Sequence, residues 1–337
     1  MLSKIIRVAT YLTCTIRVGR NSTSGYTQAT PHDAAPSKGD SMVEVSTLKE
    51  RIAKAGTIVE VLPYIKRFAG QIVVIKYGGS AMVERSLQSS FASDIVLLKY
   101  VGVHPIVVHG GGKEITEWMK KFGKEAHFVD GQRVTDSESV EIVEMVLSGK
   151  INGEIVSLIN QAGGRAVGLS GKDAQFLDVR KMPERGGVDH GQVGEPIGCD
   201  PTLLKKLCES GYIPVISSIG ADKEGRTMNI NADGVAAAVA IGVACEKLIF
   251  LTDVPGVIVK DNLVEFLDLE GAERLLRGPD ISGGMKPKLE DSVKAIKSGV
   301  KHVHIINGLN PHSVLLEIFT DTGIGTMIAH KRMSAGA

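Results

Sequence analysis

"IVVIKYGGSAM", residues 72–82, sets the reading of the whole chain. Four apolar residues, Ile72 to Ile75, run without a break into Lys76, and Tyr77, Gly78, Gly79 and Ser80 follow. An unbroken apolar run predicts a strand buried on both faces, as in parallel sheets. A core strand gains nothing from an ammonium group at its end. Lys76 beside two residues that lack side chains therefore points to a negative group at that place.

Outward from this stretch the same pattern recurs. Further apolar runs stand at Pro105–Val108, Ala166–Leu169, Ile213–Ile216, Leu248–Leu251 and His302–Ile306. Helical spacing lies between them. "DSESVEIVEMVLSGK", residues 136–150, places Val140, Val143 and Leu147 on one face, with Gly149 as a stop. Before the first run, Leu48, Ile52, Ala55 and Val59 share a helical face behind a capping Ser46. Strands alternating with helices predict an α/β fold with a mostly parallel sheet between helical layers. Two hairpins interrupt the alternation: one at Asp130-Gly131, the other within "ADKEGRTMNI", residues 221–230.

The bulk properties narrow the class. The chain has 337 residues and a net charge of +1, with 39 basic and 38 acidic residues. That balance argues against a nucleic-acid scaffold or a membrane-surface protein. No apolar run approaches the roughly 18–20 residues that span a bilayer. Cys14, Cys199, Cys208 and Cys245 are scattered and form no CxxC, which suits a reducing compartment and suggests neither a disulfide framework nor a zinc site. Residues 1–32 contain no acid and carry Lys4, Arg7, Arg17 and Arg20 among many Ser and Thr. Residues 1–41 read either as an organellar transit peptide or as a disordered extension, with Met42 as an alternative start.

Ligands of open parallel sheets sit at the carboxyl ends of strands. There the chain places Lys76, Gly78 and Gly79 after one run, and His109, Gly110, Gly111, Gly112 and Lys113 after the next. Each glycine loop alone reads as a tight turn. Two of them, one led by lysine, favour an oxyanion or phosphate site at a helix start. The sequence has no GxxxxGK[ST], no GxGxxG between strand and helix, and no HRD or DFG. Phosphoryl chemistry here needs another framework. Arg133 in "GQRVTD" is either a solvent-facing hairpin residue or a fork for a carboxylate. In "MNINADGVAAAVA" (228–240), Asp233 alone reads as an N-cap. "ISGGMKPKLE" (281–290) sets Lys286 and Lys288 at a helix start, where the dipole disfavours cations unless an anion shares the place.

Taken in order, "IKYGG", "VHGGG", "DGQRVTD", "GLSGKD", "NINAD", "LTDVPGV" and "GGMKPK" closely resemble the amino-acid kinase family, from about residue 58 to 328. The resemblance is to its arginine-sensitive, hexameric branch that acts on N-acetyl-L-glutamate. It implies a three-layer α/β/α sandwich in two lobes: residues 42–243 for the N-helix, substrate and dimerisation, and 244–331 for ATP. The implied reaction is ATP-dependent phosphorylation of the side-chain carboxylate of N-acetyl-L-glutamate, the second step of arginine synthesis, with Mg²⁺ held mainly by the nucleotide. The resemblance assigns catalysis to Lys76, Lys288 and Asp233, and substrate binding to Gly79, Gly111, Gly112, Arg133 and Asn229. It assigns ATP contacts to Gly78, Thr252, Asp253, Gly256, Gly284 and Met285. An arginine effector site would use Tyr64, His312, Glu317 and Gly325. It further implies a homohexamer, cytoplasmic or plastid-stromal location, and, in some relatives, binding of the PII signal protein. A regulatory arginine-binding module without activity is the alternative, and the presence of both lysines and Asp233 argues against it.

Overall fold

The computed structural model describes residues 45–331 apart from 83, 130, 185–186 and 321–322; the expected extension, residues 1–41, lies outside the described residues. Of the described residues, 45–53 belong to one unit and are helical; residues 54–331 belong to a second, which contains the sheets seen among the described residues. The helix Val45–Glu60 already includes Ser46, so the expected cap falls inside it.

The second unit is built on an eight-stranded sheet. Its strands are β1 (Ile72–Tyr77), β2 (His104–His109), β5 (Ala166–Ser170), β8 (Ile213–Ser217), β11 (Lys247–Thr252), β14 (Phe266–Asp268), β15 (His302–Asn307) and β16 (Thr326–Ala329). Two hairpins lie apart from it, β3 (Phe128–Val129) with β4 (Gln132–Arg133) and β12 (Ile258–Val259) with β13 (Asn262–Leu263). A four-stranded sheet joins β6 (Leu177–Lys181), β7 (Val193–Cys199), β9 (Ile219–Ala221) and β10 (Thr227–Ile230). The large sheet has the order β14-β16-β15-β11-β1-β2-β8-β5. Its pairings are parallel except β15 with β16. All six apolar runs are strands of this sheet, and β1 lies at its centre, between β2 and β11.

The reason is burial on both faces. Val73, Val74 and Ile75 have no exposed surface. Val74 packs into one core with Ile106, Ile216, Leu248 and Phe250; Val73 and Ile75 pack into the other with Val107, Val215 and Ile249. Alternate residues of each strand thus feed opposite cores. The first core is roofed by helices Thr202–Glu209, Ala232–Val243 and Met285–Lys297; the second by Arg85–Tyr100, Gly112–Lys121 and the helical stretch from Ser137. Each fully buried Val, Leu or Ile contributes about 1.5–3 kcal/mol. The result is a three-layer α/β/α arrangement.

The stop expected at Gly149 does not occur. The helix Ser137–Glu144 passes through a π-helical stretch, Met145–Ile151, into Asn152–Gln161. Beyond the glycine, Ile151, Ile155 and Ile159 continue the apolar face and are buried. Their burial outweighs the cost of one glycine, about 1 kcal/mol. Among the described residues no helix is long and apolar enough to cross a membrane.

Candidate active site

Three side chains expected to act together meet at the carboxyl end of β1. Asp233 is buried, with Lys76 Nζ 3.2 Å from Oδ1 and Lys288 Nζ donating to Oδ2 at 2.7 Å. One carboxylate thus holds two ammonium groups from different elements, a strand end and the helix Met285–Lys297. Burial alone would raise the Asp233 pKa; Lys76 and Lys288 outweigh it and hold the carboxyl below the usual range. The Asp233 charge also offsets the unfavourable dipole that Lys288 meets near its helix start. Removing the carboxyl would leave two enclosed cations uncompensated, a loss of about 3–5 kcal/mol.

Asp233 is not the helix cap. Asn231 is: its Oδ1 accepts the Asp233 N–H at 2.9 Å, at the start of Ala232–Val243. That leaves the Asp233 carboxylate for the lysines. Gly234 follows directly, where a glycine would be expected to slacken the helix; the two ion pairs fix the carboxylate instead, and Gly234 lines the cleft beside Pro196.

Lys76 opens onto a cleft of about 600 Å³. Gly78, Gly79, Gly111, Gly112, Arg133 and Asn229, all expected at the site, line it with Lys76. Gly78, Gly79 and Gly111 have close neighbours where a Cβ would stand, and Gly112 has none. A Cβ on Gly79, where φ is +69°, would lie 2.6 Å from Asp253 Oδ1. One on Gly111 would lie 2.2 Å from Ile151 Cδ1, and one on Gly78 2.8 Å from Lys76 Nζ. The π-helical turn thus presses Leu147 and Ile151 against the second glycine loop. Gly112 then opens the helix Gly112–Lys121, whose first N–H groups have no intrahelical acceptor.

Arg133 stands on the β3–β4 hairpin. Its Nη2 donates to Gly112 O at 2.9 Å and Thr116 Oγ1 at 2.8 Å, and its guanidinium stacks on Phe128 at 4.6 Å. The buried arginine is therefore fastened to the glycine-led helix instead of facing solvent. Asn229 Nδ2 donates to Thr135 Oγ1 at 3.2 Å, which ties β10 to the segment after β4.

Of the residues assigned to ATP, Gly78 lines this cleft and the other five do not. Thr252 ends β11, its Oγ1 accepting from Val254 N at 3.0 Å; Asp253 faces Gly79; Gly256 packs beside Thr326. Gly284 and Met285 start the helix that carries Lys288. The four effector candidates are not gathered in one cavity either. His312 Nδ1 pairs with Asp94 Oδ1 at 2.6 Å. Glu317, five residues on, pairs with His304 Nδ1 at 2.6 Å and accepts from Ile324 N at 3.0 Å. Gly325 lies against the Ile305 carbonyl, and Tyr64, on the helix Leu62–Phe68, packs against the core that holds Val73 and Ile75.

Other groups at the cleft carried little signal in the sequence. Pro287, Glu290, Asp291 and Lys294 form one helical face beside Lys288 and line it; Arg180 and Glu195, paired at 3.1 Å, line it from the smaller sheet. The 287/290/291/294 spacing after Lys288 was the available sign. Burial, then the neighbouring Asp233, pushes the Asp291 carboxyl up to about 7.

A profile of the amino acid kinase family matches residues 71–307. The acetylglutamate kinase of Desulforamulus reducens is 50% identical over 281 residues, which cover 82% of this chain and 98% of that protein. The acetylglutamate kinase of Neisseria meningitidis serogroup C is 50% identical over 280 residues, 82% of this chain and 94% of its own. Among solved structures, N-acetylglutamate synthase from Neisseria gonorrhoeae, complexed with coenzyme A and N-acetyl-glutamate, superposes with a TM-score of 0.74 at 27% identity. That match covers 83% of this chain and 64% of the synthase, so the chain spans somewhat less than two thirds of it. The same synthase with coenzyme A and L-arginine gives 0.71 at 26% identity, covering 82% and 65%. The chain belongs to the amino acid kinase family.

Proposed function

We infer that this chain transfers the γ-phosphoryl group of ATP to the side-chain carboxylate of N-acetyl-L-glutamate, a step of arginine biosynthesis. The observation that carries the mechanism is the buried Lys76–Asp233–Lys288 arrangement at the edge of a glycine-lined cleft. The acceptor is already an anion, so no base is needed. The difficulty is bringing two anions together and neutralising charge on the moving group. A carboxylate oxygen forms its bond to the γ-phosphorus as the bond to the bridging oxygen breaks, and ADP leaves with that electron pair. Lys76 and Lys288 would flank the phosphoryl oxygens, and Asp233 would keep both amines poised. Gly79, Gly111 and Gly112 would offer N–H groups to developing charge. Arg133 would bind the α-carboxylate and Asn229 the acetylamino group.

Magnesium would be held mainly by nucleotide oxygens, because this small ion keeps most of its phosphate and water ligands. Among the described residues no cluster of three or more His, Cys, Asp or Glu side chains is arranged to hold a metal. Thr252, Asp253, Gly256, Gly284 and Met285, in the C-terminal lobe of the two-lobe division at residues 243/244, would surround the nucleotide together with Gly78 of the N-terminal lobe. The compartment would be cytoplasm, or plastid stroma if residues 1–41 are a transit peptide. The regulatory-module alternative gains no support, since the charge arrangement suited to catalysis is intact.

Formation of hydroxamate from the trapped acyl phosphate tests this reading, with N-acetylglutamate, glutamate and aspartate offered separately. Rapid product formation with N-acetylglutamate is expected. Equal or greater turnover with free glutamate would overturn the substrate assignment.

A finer reading adds feedback by arginine and assembly into a hexamer. The synthase of related fold has been solved with L-arginine, and the helix Val45–Glu60 leaves Leu48, Ile52, Ile58 and Val59 more than half exposed, a stripe suited to a partner helix. Inhibition by millimolar arginine and a hexameric mass in sedimentation are expected; full activity in arginine, or a monomer, would contradict the reading. Binding to PII stays a proposal with no supporting contact among the described residues.

A further inference from the structure

His109 ends β2 immediately before the second glycine loop, and its ring is fully buried. A buried imidazole needs a partner at each nitrogen. Nδ1 lies 3.0 Å from the Gly110 carbonyl oxygen, and Nε2 lies 3.1 Å from Asn152 Nδ2. The same Asn152 nitrogen lies 2.9 Å from the Val215 carbonyl. A carbonyl only accepts, so the amide nitrogen of Asn152 must face Val215, and its second hydrogen goes to Nε2. Nε2 therefore accepts. The ring carries its proton on Nδ1 and donates it to Gly110 O.

Two further observations fit this chain of bonds. A Cβ on Gly168 of β5 would lie 1.9 Å from Asn152 Oδ1, so that strand leaves a gap in which the amide sits. Burial, helped by the nearby Lys76, pushes the His109 pKa down to about 4 despite the Gly110 hydrogen bond, so the ring stays neutral and keeps one nitrogen as acceptor.

The consequence lies in the next peptide. The C=O of Gly110 and the N–H of Gly111 belong to one planar trans unit and point in opposite directions. Drawing the carbonyl toward a buried ring sends the N–H the other way, to the cleft that both glycines line. Gly111 N–H makes no hydrogen bond among the described residues. A peptide between two glycines is the easiest on a chain to rotate. Rotated, it would turn a carbonyl oxygen toward the anion.

We propose that His109, oriented by Asn152, is a positioning residue that aims Gly111 N–H at the transferring phosphoryl group. The inference rests on the cleft being the phosphoryl-transfer site. It extends the set of groups that matter to two side chains that touch neither substrate.

The test compares His109→Asn, whose amide nitrogen stands about where Nδ1 stood, with His109→Gln, whose amide stands nearer Nε2. In the Gln variant kcat is expected to fall about 10- to 100-fold, approaching the loss of one oxyanion donor, with both KM values within a few-fold and Tm near wild type. Affinity for MgADP, aluminium fluoride and N-acetylglutamate together should fall by the same factor, and the Asn variant should recover most of kcat. Nitrogen-15 spectra of the wild-type protein should show His109 as the neutral Nδ1–H tautomer from pH 6 to 8, a readout that no folding defect touches. An Nε2–H tautomer, or Asn and Gln variants losing activity alike and in step with Tm, would overturn the proposal. Lys288→Ala serves as the control. Undiminished turnover there would remove the site assignment itself, whereas a dead Lys288→Ala beside an active Gln variant removes only the positioning role.

Discussion

A single aspartate near the Lys76–Asp233–Lys288 arrangement carries a pH signature of its own. Asp291 lies three residues beyond Lys288 and lines the cleft, and burial together with Asp233 raises its pKa from 3.8 to about 7. Between those two values the unfolded chain has released the proton that the folded chain retains. The fold therefore loses stability as pH rises from about 4 to about 7. Asp291→Asn removes this loss. The variant should gain on the wild type as pH goes from 5 to 8, reaching on the order of a few kcal/mol, measured by denaturant unfolding at each pH. A gap that stays constant across that range would contradict the raised pKa of this buried carboxyl. Beyond its helical spacing after Lys288, this residue carried little signal in the sequence, for a physical reason. Glu290, Asp291 and Lys294 look like the solvated face of any helix, and only the fold shows that the face lines a cleft. Lys76 and Lys288 were legible because a buried strand end and a helix start both disfavour a cation, whereas Asp233 alone read as an N-cap and took its role only from the resemblance.

Elements were readable in proportion to how fully they are buried. The central strands announce themselves because both faces are covered, which requires continuous apolar residues. The smaller sheet was not anticipated apart from the β9–β10 hairpin, since β7 contains Gly194, Pro196 and Gly198 and β6 alternates apolar with charged residues. Yet those strands supply Arg180 and Glu195 to the cleft wall. The first expected hairpin also forms, with Gly131 at φ +77°, although Asp130 lies outside the described residues. Gly149 misled because a local penalty was weighed without the isoleucines beyond it. The π-helical stretch joins the two α-helices, with Leu147 and Ile151 under Gly111 and Asn152 beside His109. An irregular turn inside a long helix thus shapes the glycine loop that lines the cleft, a placement common for such turns.

At the scale of the molecule, the sheet makes the site by bringing distant segments to one edge. β1 pairs with β2 on one side and β11 on the other, which sets Lys76 between the glycine loop after β2 and Asp253 after β11. Asp233 and Lys288 arrive on two helices of the core covering one face of that sheet. Turnover and nucleotide affinity in Lys288→Ala test this arrangement most directly, because an interaction that strengthens only in the transition state lowers kcat and leaves ground-state binding nearly intact. The account predicts a fall in kcat of about 10²–10³-fold, the scale of losing one such electrostatic contact, with ATP affinity changed by no more than a few-fold. A variant that turns over at the wild-type rate, or that loses ATP binding in equal measure, would contradict it.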